Sequence, residues 1–249
     1  MKQDKVKEKL DSLKMKSASE NLYDTIEMAS QKNWGLLDAL DHLLSLELES
    51  KRQKRVIRIY KESRLTDKQT LDQFDFKFHK SRQNYKMTIL NLMDLEFIRK
   101  KKNIILIGNT GVGKTYLAKC IAYAATQAGI KTLFTTATDM VNHLISAEAD
   151  RSLLKKLHYY QTPDILVCDE LGYLPLGYDG SNLFFQVISA RHERKSTIIT
   201  TNLPFAEWGK IFDSTTVATV IADRLVYNSE ILIMEGKSYR SIKNKDNDN

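Results

Sequence analysis

The chain has 249 residues, 42% of them hydrophobic and 28% charged, with a net charge of +7. Three prolines and ten glycines argue against long linkers, the charged N-terminus holds no secretory-type apolar segment, and no apolar run approaches the length of a membrane span, so a cytoplasmic protein without a membrane partner is expected. Cys120 and Cys168 have neither metal-site nor disulfide spacing and read as small core residues.

The first elements are helical. Residues 5–30 carry Leu10, Leu13, Leu22, Ile26 and Met28 among charges, and residues 34–49 place Leu36, Leu37, Leu40, Leu43, Leu44 and Leu48 at spacings of three and four. Such a stripe predicts an amphipathic helix with one buried face. Between Lys51 and Arg64 there are seven basic residues and one acid. Lys51, Lys54, Arg55, Arg58 and Lys61 share a broad helical face, with Val56, Ile57 and Tyr60 turned the other way. Phe74, Phe76 and Phe78 then cluster around Leu71. Residues 1–103 hold 23 Lys+Arg against 16 Asp+Glu, whereas residues 104–249 hold 15 of each. The excess charge thus belongs to the first part of the chain and points to a polyanion, most simply DNA or RNA phosphates. The alternative for the basic face is a solvated surface, and nothing in it reads as base-specific recognition.

From residue 103 the pattern becomes strand–helix alternation. Strands are expected at Asn103–Ile107, Lys131–Thr136, Ile165–Cys168, Ser196–Thr201 and Glu230–Met234, with helices at 115–128, 139–147, 152–161, 181–194 and 215–227. Apolar, β-branched strands separated by helices imply an α/β fold: a parallel sheet with helices on both faces, preceded by a small all-helical domain. The expected domains are residues 1–80, helical and basic, and residues 81–249, the α/β module, joined across a soft boundary near 75–95.

The chemistry concentrates at strand ends. Gly108-Asn109-Thr110-Gly111-Val112-Gly113-Lys114-Thr115 follows the first strand and opens a helix. Phosphate oxygens need converging N–H donors, and glycines let a loop fold tightly enough to supply them. In this P-loop pattern Lys114 reaches the β- and γ-phosphates of ATP and the Thr115 hydroxyl ligates Mg²⁺. The third strand ends in Asp169 and Glu170. Asp169 is the candidate to hold Mg²⁺ and Glu170 to polarise the attacking water. The fourth strand ends in Asn202, which either positions that water or simply turns the chain before Leu203-Pro204. A cation on the terminal phosphate contributes roughly 10³–10⁵ in rate. Arg191, Arg194, Arg224 and Arg240 are candidates between which position alone does not choose. The five histidines share no metal spacing, and Phe184 and Phe185 read as core.

Across nearly its whole length the chain resembles the IstB-like family, the AAA+ ATP-binding helpers of one class of transposase, which are relatives of DnaC-type helicase loaders. The resemblance rests on Leu36–Leu40 with Glu47, Glu49 and the basic run, Lys68–Asp75, Gly111–Ala118, Asp169–Pro175, Ser196–Phe205 with Trp208, Asp223-Arg224-Leu225 and Ser238-Tyr239-Arg240. It implies that Asp169 and Glu170 form the Walker B pair, that Asn202 is sensor 1, and that Arg224 is an arginine finger offered to the ATP of a neighbouring subunit. Arg240 falls where related ATPases with a full lid carry a sensor-2 arginine; this family's lid is shortened or missing. Arg191 lies where the family has an arginine before an aromatic, here replaced by His192, and its role stays open. The resemblance further implies ATP-driven self-assembly on double-stranded DNA, remodelling of that DNA and recruitment of a companion transposase. A helicase loader is the alternative.

Overall fold

The structure, a computed structural model, describes residues 2–239. The helices are α1 (Lys2–Ser12), α2 (Lys16–Glu20), α3 (Leu22–Gln31), α4 (Leu36–Glu62), α5 (Lys80–Asn84), α6 (Lys86–Leu92), α7 (Glu96–Arg99), α8 (Lys114–Gln127), α9 (Ala137–Ala149), α10 (Leu153–Gln161), α11 (Gly177–Arg191) and α12 (Thr215–Val226). The strands are β1 (Asn103–Gly108), β2 (Thr132–Thr136), β3 (Ile165–Leu171), β4 (Ser196–Thr201) and β5 (Ser229–Met234). Two compact units divide between Arg58 and Ile59, inside α4.

In the first unit, Ala18, Leu22 and Leu43 form a small core with Leu10, Met15 and Ile26 against it. The carboxylate of Glu47 is buried there and accepts from the Ala18 amide at 3.0 Å, with Lys51 at 3.4 Å. Burial works to raise the Glu47 pKa, but the amide and the ammonium together hold it below the ordinary carboxylate value. The leucine stripe differs from the expectation. Leu43 is buried, whereas Leu36 and Leu37 are 77% and 79% exposed and Leu40, Leu44 and Leu48 are exposed as well. The three short preceding helices supply too small a surface to cover the whole stripe.

In the second unit the five strands run in the order β2-β3-β4-β1-β5 with every pairing parallel. A parallel sheet buries both faces, and the pleat sorts side chains between them. Ile105 and Ile107 join Leu166, Cys168 and Ile199 on one face, under α9, α10, α11 and α12. Ile104 and Leu106 join Ile165, Val167 and Ile198 on the other, under α8. That second cluster also takes Leu65 and Phe74. Residues 59–80, expected to belong with the helical domain, therefore contribute apolar anchors to the sheet unit, and the compact division comes earlier than residue 80. Of the residues expected to turn away from the basic face, Val56 and Tyr60 are half-buried, Tyr60 packing with the second cluster, whereas Ile57 is 55% exposed and the buried residue of the segment is Ile59, 2% exposed. The two cysteines are free and buried, as expected, and burial pushes both thiols up to about 12.

Candidate functional site

The C-terminal ends of β1, β3 and β4 open on one cavity of about 690 Å³. β1 delivers the glycine loop, whose bends are enforced by space. A side chain at Gly108, which has φ +154°, would lie 2.0 Å from the Met234 carbonyl oxygen. One at Gly113, φ +104°, would lie 2.7 Å from the Arg82 guanidinium. Gly113 caps α8, so the free amides of the first turn of that helix face the loop and favour anions. Lys114 folds back over the loop, its Nζ donating to the carbonyls of Gly108 at 2.7 Å and Asn109 at 2.9 Å. Thr110, Gly111, Gly113, Lys114 and Thr115 line the cavity, while Val112 is buried behind them.

β3 delivers the two acids in different orientations. Asp169 is 3% exposed, and its Oδ1 accepts from the Thr115 hydroxyl at 2.9 Å and from the Thr200 hydroxyl. Between Cys168 and Leu171 the pairing with β4 slips, and Glu170 takes φ +58°. This bulge turns consecutive acids to different places: Asp169 inward, Glu170 out into the cavity. The Glu170 amide donates to the Thr200 hydroxyl at 2.9 Å, so one threonine of β4 braces both acids. Asn202, just beyond β4, is exposed and lines the same cavity. The oxygens of Thr115 and Asp169 form a hard donor set that fits Mg²⁺.

Sequence reasoning missed Arg82. It is 4% exposed, yet it has cavity-lining atoms. Its Nε and Nη2 donate to the Val112 carbonyl at 3.0 and 2.6 Å, and its Nη1 to that of Asp75 at 2.9 Å. The guanidinium lies 4.4 Å from the Phe74 ring centre, with Phe78 and Tyr239 further out. Burial lowers its pKa, partly offset by Asp75. Holding the Val112 carbonyl from behind leaves the following amides facing the cavity, so Arg82 is a positioning residue for the loop. A lone arginine in Lys80–Asn84 carries no sequence signal for this; only the tertiary contact reveals it.

The other arginines separate cleanly. Arg191 is 1% exposed and donates to the carbonyls of Tyr160, Gln161, Pro163 and Ser196 and to the Thr197 hydroxyl. Burial pushes it down to about 10. It ties the approach to β3 to the beginning of β4, the sheet edge opposite the cavity, and so has a structural role. Arg224 is half-buried on α12, with its guanidinium 4.5 Å from the Phe185 ring centre and a hydrogen bond to the Ser189 hydroxyl. It does not line the cavity of its own chain. Arg194 is exposed and also lies off the cavity, and Arg240 falls outside the described residues. Lys51, Lys54, Arg55, Arg58 and Lys61 are all exposed along α4.

A five-stranded parallel sheet with a glycine loop after its β1 strand, paired acids at the end of β3 and a polar residue past β4 defines an ATP-binding protein of the AAA+ class. The chain belongs to the IstB-like ATP binding protein family, whose model matches residues 8–247. It is 39% identical over 214 residues, 86% of this chain and 84% of the relative, to an ATP-binding protein of insertion sequence IS5376 from Geobacillus stearothermophilus. It is 34% identical over 231 residues, 93% of this chain and 86% of the relative, to the corresponding protein of insertion sequence IS21 from Pseudomonas aeruginosa. Among solved structures, the DnaC helicase loader superposes with a TM-score of 0.58 at 25% identity, covering 67% of this chain and 96% of that one. DnaA from Aquifex aeolicus with bound AMPPCP superposes at 0.59 and 17% identity over 74% of this chain and 56% of that one, a likeness of fold.

Proposed function

We propose that this protein is a DNA-dependent ATPase that assembles on double-stranded target DNA and assists a companion transposase. The observation that carries the reading is the meeting of Lys114, Thr115, Glu170 and Asn202 in one cavity, in a chain whose relatives belong to insertion sequences. The loop amides and the Lys114 ammonium bind the phosphates. Thr115 and Asp169 would hold Mg²⁺, which supplies charge neutralisation between the β- and γ-phosphates. Glu170, turned outward by the bulge, accepts a proton from the attacking water, and Asn202 orients that water. Arg224 does not line the cavity of its own chain, which supports a role in the site of a neighbouring subunit and hence an oligomer with shared sites. The basic face of α4 supports contact with DNA phosphates at any sequence.

The helicase-loader reading shares this ATP site and is favoured by the superposition on DnaC; the insertion-sequence relatives favour transposition. The test measures phosphate release with Mg²⁺, with and without duplex DNA. Glu170→Gln is expected to keep ATP and DNA binding and to lower turnover by about 10²–10⁴. Turnover unchanged in that variant refutes the role given to Glu170, and binding to a replicative helicase in place of the transposase refutes the assigned partner.

A further inference from the structure

α8 joins two walls of the cavity. Thr115 bonds to Asp169 on the strand-end wall, and one residue later the Tyr116 hydroxyl bonds to the Thr70 carbonyl at 2.9 Å on the other. Strand ends and loop deal with phosphates, which leaves the second wall to the rest of the nucleotide. That wall is aromatic and amide in character. The rings of Phe74 and Tyr116 stack with centres 6.0 Å apart and 22° between planes. Two glutamines, Gln69 and Gln73, also line it. Gln73 is engaged, its Oε1 lying 3.4 Å from the Tyr116 hydroxyl. Gln69 is not: among the described residues, its Oε1 is the buried side-chain polar atom with no hydrogen-bond partner. Folded proteins satisfy almost all such atoms, and an exception in a cavity wall calls for a donor from the ligand.

We infer that Gln69 reads the adenine ring of the bound nucleotide, its carbonyl accepting from the exocyclic 6-amino group while its amide nitrogen donates to the ring nitrogen N7. A carboxamide pairs in this two-point way with adenine, whose edge offers a donor beside an acceptor; guanine offers two acceptors there and leaves one of them facing the carbonyl. The terminal torsion of glutamine is broad, so the inward oxygen swings onto a base at little cost. Gln69 is thus a specificity-determining residue for ATP, and this inference rests on the ATP reading above.

The experiment measures affinities of the full chain with Mg²⁺ for ATP, for GTP and for purine riboside triphosphate, which lacks the 6-amino group. Wild type is expected to bind ATP about tenfold more tightly than either analogue. Gln69→Ala should weaken ATP to or below the wild-type level of the purine analogue and bring the three triphosphates within about twofold of one another, the purine analogue losing less than ATP because it has only the ring-nitrogen contact to lose; retained micromolar-class binding of all three shows that the variant is folded. Equal affinity of wild type for all three triphosphates overturns the inference alone, as does a Gln69→Ala protein that keeps the preference. No binding of any triphosphate by folded wild type overturns both the inference and the ATP reading.

Discussion

In the sheet unit, Ile104, Ile105 and Leu106 are fully buried; in the helical unit up to Arg58, Leu36 and Leu37 stand 77% and 79% exposed. Both segments are apolar and both take the secondary structure their periodicity demands. What differs is the supply of covering layers. The four β1 residues from Ile104 to Ile107 alternate between two helix-covered clusters, whereas α4 has three short helices to bury against and a leucine stripe wider than they cover. Periodicity specifies which residues share a face, and only the neighbouring elements decide whether that face is closed.

This contrast can be broken at several strengths. The largest effect is expected at the sheet unit's edge: Arg224→Ala should lower turnover by roughly 10³–10⁵ with ATP affinity unchanged. Mixing it with Glu170→Gln should restore part of the rate if sites are shared between subunits, and no recovery would return Arg224 to a packing role on Phe185. Next comes Arg191→Met, which strips five acceptors of a buried donor. It should cost the sheet unit about 3 kcal/mol or more, read by fluorescence of the buried Trp208 during denaturant unfolding. In the helical unit, Leu43→Ala should cost about 2 kcal/mol, read from Trp34 in a Trp208→Phe background. Reversing Lys54, Arg55 and Arg58 to Glu should weaken duplex binding at least tenfold and reduce the salt slope by about three. An unchanged slope would make that face a solvated one. The smallest effect belongs to Leu37→Ser, within about 0.5 kcal/mol in stability; a larger loss would show that the stripe is covered.

Much of the sheet unit was legible in advance. β4 has the expected bounds, β1, β2 and β5 differ by one residue, and the cavity unites Lys114, Thr115, Glu170 and Asn202. These elements announce themselves because glycine spacing, strand hydrophobicity and terminal acids are local properties. The bulge that turns Glu170 away from Asp169 was not legible, since it depends on a slip against β4 and on the Thr200 hydroxyl. Nor were the opposite fates of Arg82 and Arg191, one behind the loop and one at the far sheet edge, because carbonyls gathered from distant segments leave no pattern in the chain. The early division within α4 was hidden for the same reason: Leu65 and Phe74 look like any apolar residues until the strand layer they anchor is in place.

The amide of Tyr239 donates to the Gly111 carbonyl at 2.9 Å, and the Tyr239 ring stacks edge-on against Phe78. A spectroscopist gains from this. A fluorinated tyrosine introduced at position 239 would carry its label on a ring in the cavity wall whose main chain is tied to the glycine loop, so its resonance would report loop rearrangement without any probe on the nucleotide.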